Sequence, residues 1–207
     1  MGVTVCGFYT EDYRRWLIPL VERLDRLGQA HDFVLAEKAG RMWETNTMAK
    51  ARHILAAMDR HPDEVIVWLD VDCIVHGDLS PLAHIRGDVA FRMHSKFRRH
   101  RKGARFRAQS GTMVFRPTSE ARQFVEFWKL ASEYAPYGEI DQSSQVVAMA
   151  ESIGTTFVPL PLIYCVNPDE KGKVPGVVVQ HDSAAVNFPK VSGWRRYVRR
   201  MMGKQAA

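Results

Sequence analysis

Residues 65–75, VIVWLDVDCIV, constrain the fold most strongly, because Asp70 and Asp72 are the only charged members of this apolar run. Its β-branched residues favour a strand buried on both faces, as in the centre of a parallel sheet. Side chains alternate along a strand, so we expect both carboxylates on one side, at the strand's carboxyl end. Open parallel sheets bind ligands at that edge. The run therefore predicts two acids at a ligand-binding edge.

These two carboxylates predict a divalent cation. Close carboxylates in an apolar setting repel each other, and a cation beside them relieves the repulsion. Their hard oxygen atoms suit Mn²⁺ or Mg²⁺ better than Zn²⁺, and such ions are often shared with substrate phosphates. The alternative is a solvated acidic turn after the strand, in which Asp72 caps the next segment.

The three cysteines, Cys6, Cys73 and Cys165, lie far apart in apolar, strand-like surroundings. No CxxC spacing occurs and no His is a neighbour in the sequence, so they are interpreted as buried thiols. The alternatives are that the three cysteines bind one metal ion or that one of them is a nucleophile. Such thiols are typical of a reducing compartment, which predicts a cytoplasmic protein. No apolar run approaches the roughly 18–20 residues that span a bilayer.

The remaining pattern predicts a single α/β domain. At 207 residues the chain is long enough to cover both faces of a sheet. Residues 2–9, 13–27 and 31–36 predict a strand, a helix and a strand. Residues 95–107 break the periodicity and predict a loop. Further predicted elements are helices at 45–60, 119–134 (capped by Ser119) and 140–152, and strands at 88–93, 110–117, 156–163 and 177–180.

Basic residues are concentrated in two segments of this chain, whose net charge is +6. Residues 96–107 contain seven Lys or Arg and no acid, and residues 190–207 contain six and no acid, so the remainder is net acidic. This segregation indicates an anionic partner for the two segments.

Four features in chain order carry a resemblance to a known class of enzymes: the strand–helix–strand unit, the Asp70-X-Asp72 strand, the SGTMVF strand at residues 110–115, and the Asp141-Gln142 helix start followed by a strand ending at His181. Together they resemble the GT-A class of nucleotide-sugar-dependent glycosyltransferases, in the branch with glycogenin-like and nucleotide-diphospho-sugar transferase domains. The most specific part is VIVWLDVDCIVHGDLSPL. The resemblance implies an α/β fold with a GT-A-type, Rossmann-like, mixed but mainly parallel sheet flanked by helices in residues 1–190. Residues 191–207 would form a basic amphipathic tail.

The resemblance implies metal ligands and donor contacts in this chain. Asp70 would face the ribose or the metal, and Asp72 would ligate the Mn²⁺ or Mg²⁺ that bridges the donor diphosphate. His181 matches a third metal ligand, the alternative being a hydrogen-bonded histidine at a strand end. Thr10 would lie beside the base and ribose. Lys50 matches a basic residue that approaches the donor, the alternative being a solvated helix lysine.

Two further segments match the surroundings of the donor sugar. Gln109, Ser110 and Gly111 match the segment that contacts this sugar, where Gly permits close backbone approach, although the branch usually has Asn where Ser110 stands. Asp141 and Gln142 match a pair near the reacting carbon. Asp141 would be a base in an inverting reaction, or a stabiliser and sugar ligand in a retaining one. Alternatively, Asp141 is a helix N-cap.

The implied partners are a nucleotide-sugar donor, with a UDP-sugar favoured, and an unidentified acceptor. Lys190 would clamp phosphate, although the family's His-X-X-Gly-X-Lys-Pro-Trp signature is only echoed there. Residues 96–107 would close over the diphosphate or hold an anionic acceptor, the alternative being a solvated loop. Residues 194–202 mix aromatic and basic side chains, which favours peripheral contact with an anionic membrane at the cytoplasmic side and a lipid-linked acceptor.

Two other functions compete with this one. Haloacid-dehalogenase-like phosphatases also carry Asp-X-Asp at a strand end, with the first Asp as nucleophile. Their motif normally opens the fold and is followed by paired acids, whereas 69 residues precede Asp70 and no Asp-Asp pair follows. A nucleic-acid-binding module would use the two basic segments, but Phe97 and Phe106 are the only aromatic residues of the first, so nucleic acid is not favoured.

Overall fold

The computed structural model describes residues 2–40, 42–97, 104–136 and 138–182. Within these ranges the chain forms eight strands and five α-helices, with short 3₁₀ turns between them. The strands are β1 Val3–Tyr9, β2 His31–Leu35, β3 Val65–Leu69, β4 Cys73–Val75, β5 Val89–Phe97, β6 Ala104–Phe115, β7 Phe157–Pro159 and β8 Val179–His181. The helices are α1 Arg14–Arg26, α2 Trp43–Thr47, α3 Lys50–Arg60, α4 Ser119–Glu133 and α5 Asp141–Glu151, and the 3₁₀ turns are Glu11–Tyr13, Ser80–His84, Leu162–Tyr164 and Pro168–Glu170.

Six strands form the central sheet, in the order β2–β1–β3–β6–β5–β7. The pairs β1–β2, β1–β3 and β5–β7 are parallel, whereas β6 runs antiparallel to both of its neighbours. Strands β4 and β8 pair in a separate antiparallel ribbon. The predicted mixed, mainly parallel sheet is therefore confirmed.

β3 is the buried strand that the sequence predicted, and each of its five residues is at most 1% exposed. Val65, Val67 and Leu69 pack in the core that includes residues of α1. Ile66 and Trp68 pack on the other face, with residues of α3, α4 and α5. Because helices cover both faces, the strand is apolar throughout instead of alternating.

The strand nevertheless ends earlier than expected, at Leu69. Asp70, Val71 and Asp72 form a turn, in which the N–H of Cys73 donates to the carbonyl of Asp70 at 3.1 Å. The chain then leaves the main sheet, and β4 pairs with β8. Alternation along a strand therefore does not set the directions of the two carboxylates, because both acids belong to a turn.

β5 and β6 form a long hairpin where the sequence predicted a loop at residues 95–107. Backbone pairing continues from Met93↔Ala108 to Phe97↔Ala104. The loop prediction was wrong for residues 95–97 and 104–107, and residues 98–103 lie outside the described ranges. Backbone hydrogen bonds hold a hairpin together, and a basic sequence satisfies them as well as an apolar one does.

Two helix boundaries also differ from the sequence pattern. Thr118 caps α4, because its hydroxyl accepts from the N–H of Ala121 at 3.2 Å. The predicted cap at Ser119 was therefore wrong by one residue. The single helix expected at residues 45–60 is divided into α2 and α3.

Within the described ranges, no helix has both the length and the apolar composition that a membrane crossing requires. Residues 183–207 lie outside these ranges. The predictions for Lys190 and for the basic tail therefore stay predictions.

Candidate active site

A cavity of about 210 Å³ lies at the carboxyl edge of the central sheet. Thr10 follows β1 and Asp70 follows β3, and since these neighbouring strands are parallel, both residues line the cavity. Asp72 lines it from the turn after β3, and Lys50 lines it from the start of α3. Four residues singled out in the sequence thus meet at the edge where open α/β sheets bind ligands.

Aromatic rings form a wall of this cavity that the sequence did not indicate. Burial raises the pKa of Tyr13, and the charges of Asp72 and Asp70 raise it further, so its hydroxyl stays protonated at neutral pH. Flat rings of this kind stack on planar ligands. Trp43 was missed because α2 is a single short turn without an apolar stripe. The aromatic wall consists of Phe8, Tyr9, Tyr13 and Trp43.

The ammonium group of Lys50 lies at the centre of a buried polar cluster. It is 2.8 Å from an oxygen of Asp70 and 2.9 Å from an oxygen of Asp141. It also donates to the carbonyl of Ser110 at 3.1 Å, and the hydroxyl of Ser110 donates to Asp141 at 2.5 Å. The side chain of Lys50 is 5% exposed, so the solvated-lysine alternative was wrong. Its predicted contact with a donor stays a prediction.

The charges of this cluster depend on one another. Burial alone would lower the pKa of Lys50, but the carboxylates of Asp141 and Asp70 raise it above its ordinary value. Burial raises the pKa of Asp70, against the attraction of the Lys50 charge. The ammonium therefore stays charged, and the cation that offsets the repulsion around Asp70 is a lysine of the chain.

Asp141 directs its carboxylate into this cluster instead of capping its helix. Ile140 is the N-cap of α5, and no side chain makes a cap hydrogen bond there, so the N-cap alternative was wrong. The indole N–H of Trp128 donates to the carbonyl of Asp141 at 3.0 Å and fixes the start of the helix. Gln142, next along α5, is half-buried, and its amide makes no hydrogen bond within the described part of the chain. That amide is available to a ligand.

Asp72, Cys73 and His181 form a second cluster, which we call the metal trio because their ligand atoms lie within 4.8 Å of one another. Cys73 and His181 are opposite each other in the β4–β8 pair, and the N–H of Asp182 donates to the carbonyl of Asp72 at 2.9 Å. The Sγ atom of Cys73 is 3.3 Å from Nδ1 of His181. Cys73 is a buried free thiol, as the sequence predicted, and strand pairing places it beside His181, 108 positions away in the chain.

The imidazole of His181 is neutral at pH 7. Burial lowers its pKa to about 4, and the charges of Lys50 and Arg92 act in the same direction. A neutral imidazole can offer a nitrogen lone pair to a metal. Carboxylate, imidazole and thiol are all donors that bind divalent metals, so the metal trio fits such an ion. Asp70 belongs to the other cluster, and its predicted metal contact stays a prediction.

Gly111 makes room for His181. A Cβ atom at position 111 would lie 2.4 Å from Cε1 of the imidazole, a distance that real Cβ contacts essentially never show. The carbonyl of Gly111 also accepts from the N–H of Asp70 at 2.9 Å. β6 therefore contacts both clusters, through Ser110 in the Lys50 cluster and through Gly111 and Thr112 against His181 of the metal trio. The predicted contact of Gly111 with a donor sugar stays a prediction.

Gln109 hydrogen-bonds to two residues that do not line the cavity. Its amide donates to the side chain of Asn167 at 3.2 Å, and the thiol of Cys165 donates to its carbonyl oxygen at 3.3 Å. Burial raises the pKa of Cys165 to about 12, so this thiol stays a donor. Gln109 does not line the cavity, and its predicted donor contact stays a prediction.

Comparisons with known proteins support the fold through structure and not through sequence. No family model and no curated protein matches the sequence. A glycosyltransferase involved in the glycosylation of the major capsid of PBCV-1 matches with a TM-score of 0.67 at 13% identity, covering 97% of this chain and 100% of that one. The apo form of the glycosyltransferase GlyE of Streptococcus pneumoniae TIGR4 matches with a TM-score of 0.60 at 15% identity, covering 97% of this chain and 60% of that one. The galactosyltransferase LgtC, in complex with donor and acceptor sugar analogues, matches with a TM-score of 0.55 at 10% identity, covering 98% of this chain and 95% of that one.

These likenesses establish the class of fold. The chain has the GT-A fold of these glycosyltransferases, as the sequence predicted. Identities of 10% to 15% carry the fold alone, so the activity has to be argued from the site.

Proposed function

We propose that the chain is a metal-dependent glycosyltransferase that moves a sugar from a nucleotide-diphosphate sugar, with a UDP-sugar favoured, to an acceptor hydroxyl. Such a reaction needs a place for the diphosphate next to a place for the reacting sugar. The fold shared with glycosyltransferases supports the proposal. The observation that carries it is that two neighbouring clusters both contact β6. The first consists of Lys50, Asp70, Asp141 and Ser110, and the second is the metal trio.

The cavity suits the nucleoside part of a donor. Its aromatic wall offers ring faces to a base, and stacked rings contribute about 0.5–1.5 kcal/mol beyond the burial of their area. A volume of about 210 Å³ leaves room for a nucleobase, and a UDP-sugar stays favoured because of the resemblance described in the sequence analysis. Thr10, whose hydroxyl donates to Asp12 at 2.6 Å, would lie beside the ribose.

Asp72 and His181 would hold the divalent cation, Mn²⁺ or Mg²⁺. When bound, such an ion supplies positive charge to the departing diphosphate. Asp72 is also on the cavity wall, so its carboxylate would fix the diphosphate next to the nucleoside. Gly111 and Thr112 would hold the imidazole in place, because one leaves it room and the other lies 2.7 Å from Nε2.

Asp141 would stabilise the positive charge that develops on the sugar ring, as carboxylates do in glycoside hydrolysis. Lys50 and Ser110 both bind one of its oxygens, and its side chain is 4% exposed. An acceptor hydroxyl therefore has little access to that oxygen, which favours the stabilising role and retention over removal of a proton and inversion. The amide of Gln142 would contact a sugar hydroxyl near the reacting carbon.

The melting temperature with UDP, GDP and CDP, each with and without Mn²⁺, tests this proposal, because a ligand that binds only the folded state raises it. A nucleotide at 100 times its Kd stabilises by about 2.7 kcal/mol, which is about 5–10 °C for a chain of this length. We expect a shift that needs one nucleotide together with Mn²⁺. It should be lost in Asp72→Asn and kept in Asp63→Asn, an exposed acid at the opposite end of β3. No shift with any pair would contradict the proposal.

The phosphatase alternative would use Asp70 as a phosphoryl nucleophile. Lys50 lies 2.8 Å from one oxygen of Asp70 and 3.1 Å from the other, which makes this carboxylate a poorer nucleophile. The matched structures described above are glycosyltransferases, which also favours sugar transfer. The nucleic-acid alternative would be favoured by salt-sensitive DNA or RNA binding in the absence of nucleotide binding.

The acceptor belongs to the same proposal. The basic tail, residues 191–207, would rest on an anionic membrane surface, where each basic residue adds roughly 1 kcal/mol. A lipid-linked or otherwise anionic acceptor would suit this placement. Residues 96–107 would close over the diphosphate or bind the acceptor. Residues 96–97 and 104–107 of this segment belong to the paired strands β5 and β6.

A further inference from the structure

We propose that Cys73 is a direct metal ligand together with Asp72 and His181, and that the centre therefore binds Zn²⁺ more tightly than Mn²⁺, and Mn²⁺ more tightly than Mg²⁺. The role of that metal in catalysis rests on the proposed function, whereas the ligand set does not. Cys73 and His181 lie beside Asp72 in the metal trio, whereas Asp70 is paired with Lys50.

The distance between sulfur and nitrogen matches two ligands of one ion. With bonds of about 2.3 Å to sulfur and about 2.0 Å to nitrogen, two ligands at a tetrahedral zinc lie about 3.5 Å apart. Sγ of Cys73 is 3.3 Å from Nδ1 of His181 and 3.8 Å from Nε2. The carboxylate of Asp72 completes a set whose ligand atoms are all within 4.8 Å of one another. The arrangement therefore needs only small shifts to close around an ion.

The backbone holds these ligands in place. Cys73 and His181 are directly opposite each other in the β4–β8 pair, and the N–H of Asp182 donates to the carbonyl of Asp72. Thr112 Oγ1 is 2.7 Å from Nε2 of His181. A partner on one ring nitrogen of a ligating histidine orients the ring and leaves the other nitrogen for the metal. The nitrogen left here is Nδ1, which is the ring nitrogen nearer to Sγ of Cys73.

The chemistry of this donor set decides the metal. Three protein ligands with a remaining open position are typical of catalytic zinc sites. A thiolate is a soft ligand that selects zinc-like ions, and the affinity of such sites rises from Mn²⁺ through Co²⁺ and is higher for Zn²⁺ than for Mn²⁺. On coordination the thiol proton passes to the buffer. Mg²⁺, which prefers oxygen ligands in octahedral geometry, is the poorest fit.

Titration of the full chain with Co²⁺, followed by near-ultraviolet absorption, tests the ligand assignment. A thiolate bound to Co²⁺ gives a charge-transfer band that oxygen and nitrogen ligands do not give. We expect this band in the wild type and in Cys6→Ser, and its absence in Cys73→Ser. Cys6 is the matched control because its thiol is also buried and lies near another candidate pair, Asp32 and His61. A band that survives in Cys73→Ser and vanishes in Cys6→Ser would overturn the proposal.

Zn²⁺ affinity gives a second measure. Loss of an outer-shell partner typically costs about 10- to 100-fold in metal affinity, so loss of a direct ligand should cost at least about 100-fold. Competition against Co²⁺ should show this loss in Cys73→Ser and little change in Cys6→Ser. Cadmium NMR of the wild type needs no substitution, and a resonance at the position of oxygen and nitrogen ligands alone would overturn the proposal even if Cys73→Ser does not fold.

The melting temperature with nucleotide and Mn²⁺ separates this proposal from the proposed function. A nucleotide-dependent shift without any Co²⁺-thiolate band in the wild type refutes the Cys73 ligand and leaves the proposed function standing. A Co²⁺-thiolate band without any nucleotide-dependent shift supports the Cys73 ligand and refutes the proposed function.

Discussion

Replacing Lys50 by Met removes the cation from the buried cluster and leaves the carboxylates of Asp70 and Asp141 facing each other. Met is unbranched and of similar length, so loss of charge is the main change. The side chain of Asp141 is 4% exposed, whereas that of Asp70 is 36% exposed. Water can therefore screen Asp70, and most of the cost falls on Asp141.

The magnitude follows from this burial. Removing one partner of a buried ion pair costs about 3–5 kcal/mol, and the exposure of Asp70 places this case in the lower half, at about 3–4 kcal/mol. Each kcal/mol lowers the melting temperature of a domain of this size by about 2–4 °C, so a drop of about 6–16 °C is expected.

Urea unfolding followed by tryptophan fluorescence measures the free energy of unfolding directly. The midpoint should fall at an unchanged slope, which indicates that stability changed and the compactness of the denatured state did not. Lys129→Met is the matched control: Lys129 is 44% exposed on α4 and 3.9 Å from Glu133. The free energy of unfolding of Lys129→Met should lie within about 0.5 kcal/mol of the wild-type value. Adding Asp141→Asn to Lys50→Met should restore part of the stability, because it removes the unpaired charge.

The contributions of Lys50 and Asp70 to the free energy of unfolding depend on pH. The pKa of Lys50 is raised, so its contribution is complete below the ordinary value of 10.5 and is lost as the pH rises through the higher folded value. The pKa of Asp70 is raised, so its ionisation costs stability at neutral pH, and this cost disappears as the pH falls towards the ordinary value of 3.8. In Lys50→Met the attraction of the Lys50 charge is lost, so the pKa of Asp70 rises further. The loss in free energy of unfolding relative to the wild type should therefore shrink between pH 7 and about pH 4. A loss in free energy of unfolding below about 1 kcal/mol at pH 7 would refute the reasoning. A loss that is the same at pH 7 and at about pH 4 would also refute it.

Three further predictions concern the cap, the glycine and the tail. Thr118→Ala should cost about 1 kcal/mol in urea unfolding, because it leaves an N–H of α4 without its cap, whereas Ser119→Ala should change little; equal losses would contradict the cap assignment. Gly111→Ala should reduce Mn²⁺ affinity, measured by electron paramagnetic resonance, by at least about tenfold because the added methyl displaces His181; unchanged affinity would remove His181 from the metal site. Deletion of residues 194–207 should abolish binding to anionic vesicles in a sedimentation assay, and undiminished binding would rule out the tail as the membrane contact.

The position of the binding edge could be predicted from the sequence. The run before Asp70 is apolar at every position because helices cover both faces of β3, and this pattern, rich in β-branched residues, favours a central strand. Thr10 ends a similar strand, and parallel pairing then places both residues at one edge. Local periodicity was sufficient for this step.

The division of the site into two clusters could not be predicted from the sequence. It depends on the turn at residues 70–72, which separates Asp70 from Asp72, and a two-residue spacing is equally compatible with a continuous strand. Cys73 meets His181 only through the β4–β8 pair, and neither of these three-residue strands has a pattern of its own. The cation beside Asp70 is Lys50, which any helical pattern would place among solvated lysines.

Cleavage of a nucleotide-sugar tests the central claim most directly. UDP-, GDP- and CDP-sugars would be incubated with the full chain, with and without Mn²⁺ or Zn²⁺, and the released nucleoside diphosphate would be measured by chromatography. We expect one class of donor to be cleaved only with a metal, at a rate reduced at least about 100-fold in Asp72→Asn and retained in Asp63→Asn. Release that is independent of metal and of Asp72, or no release from any donor by the folded chain, would contradict the account.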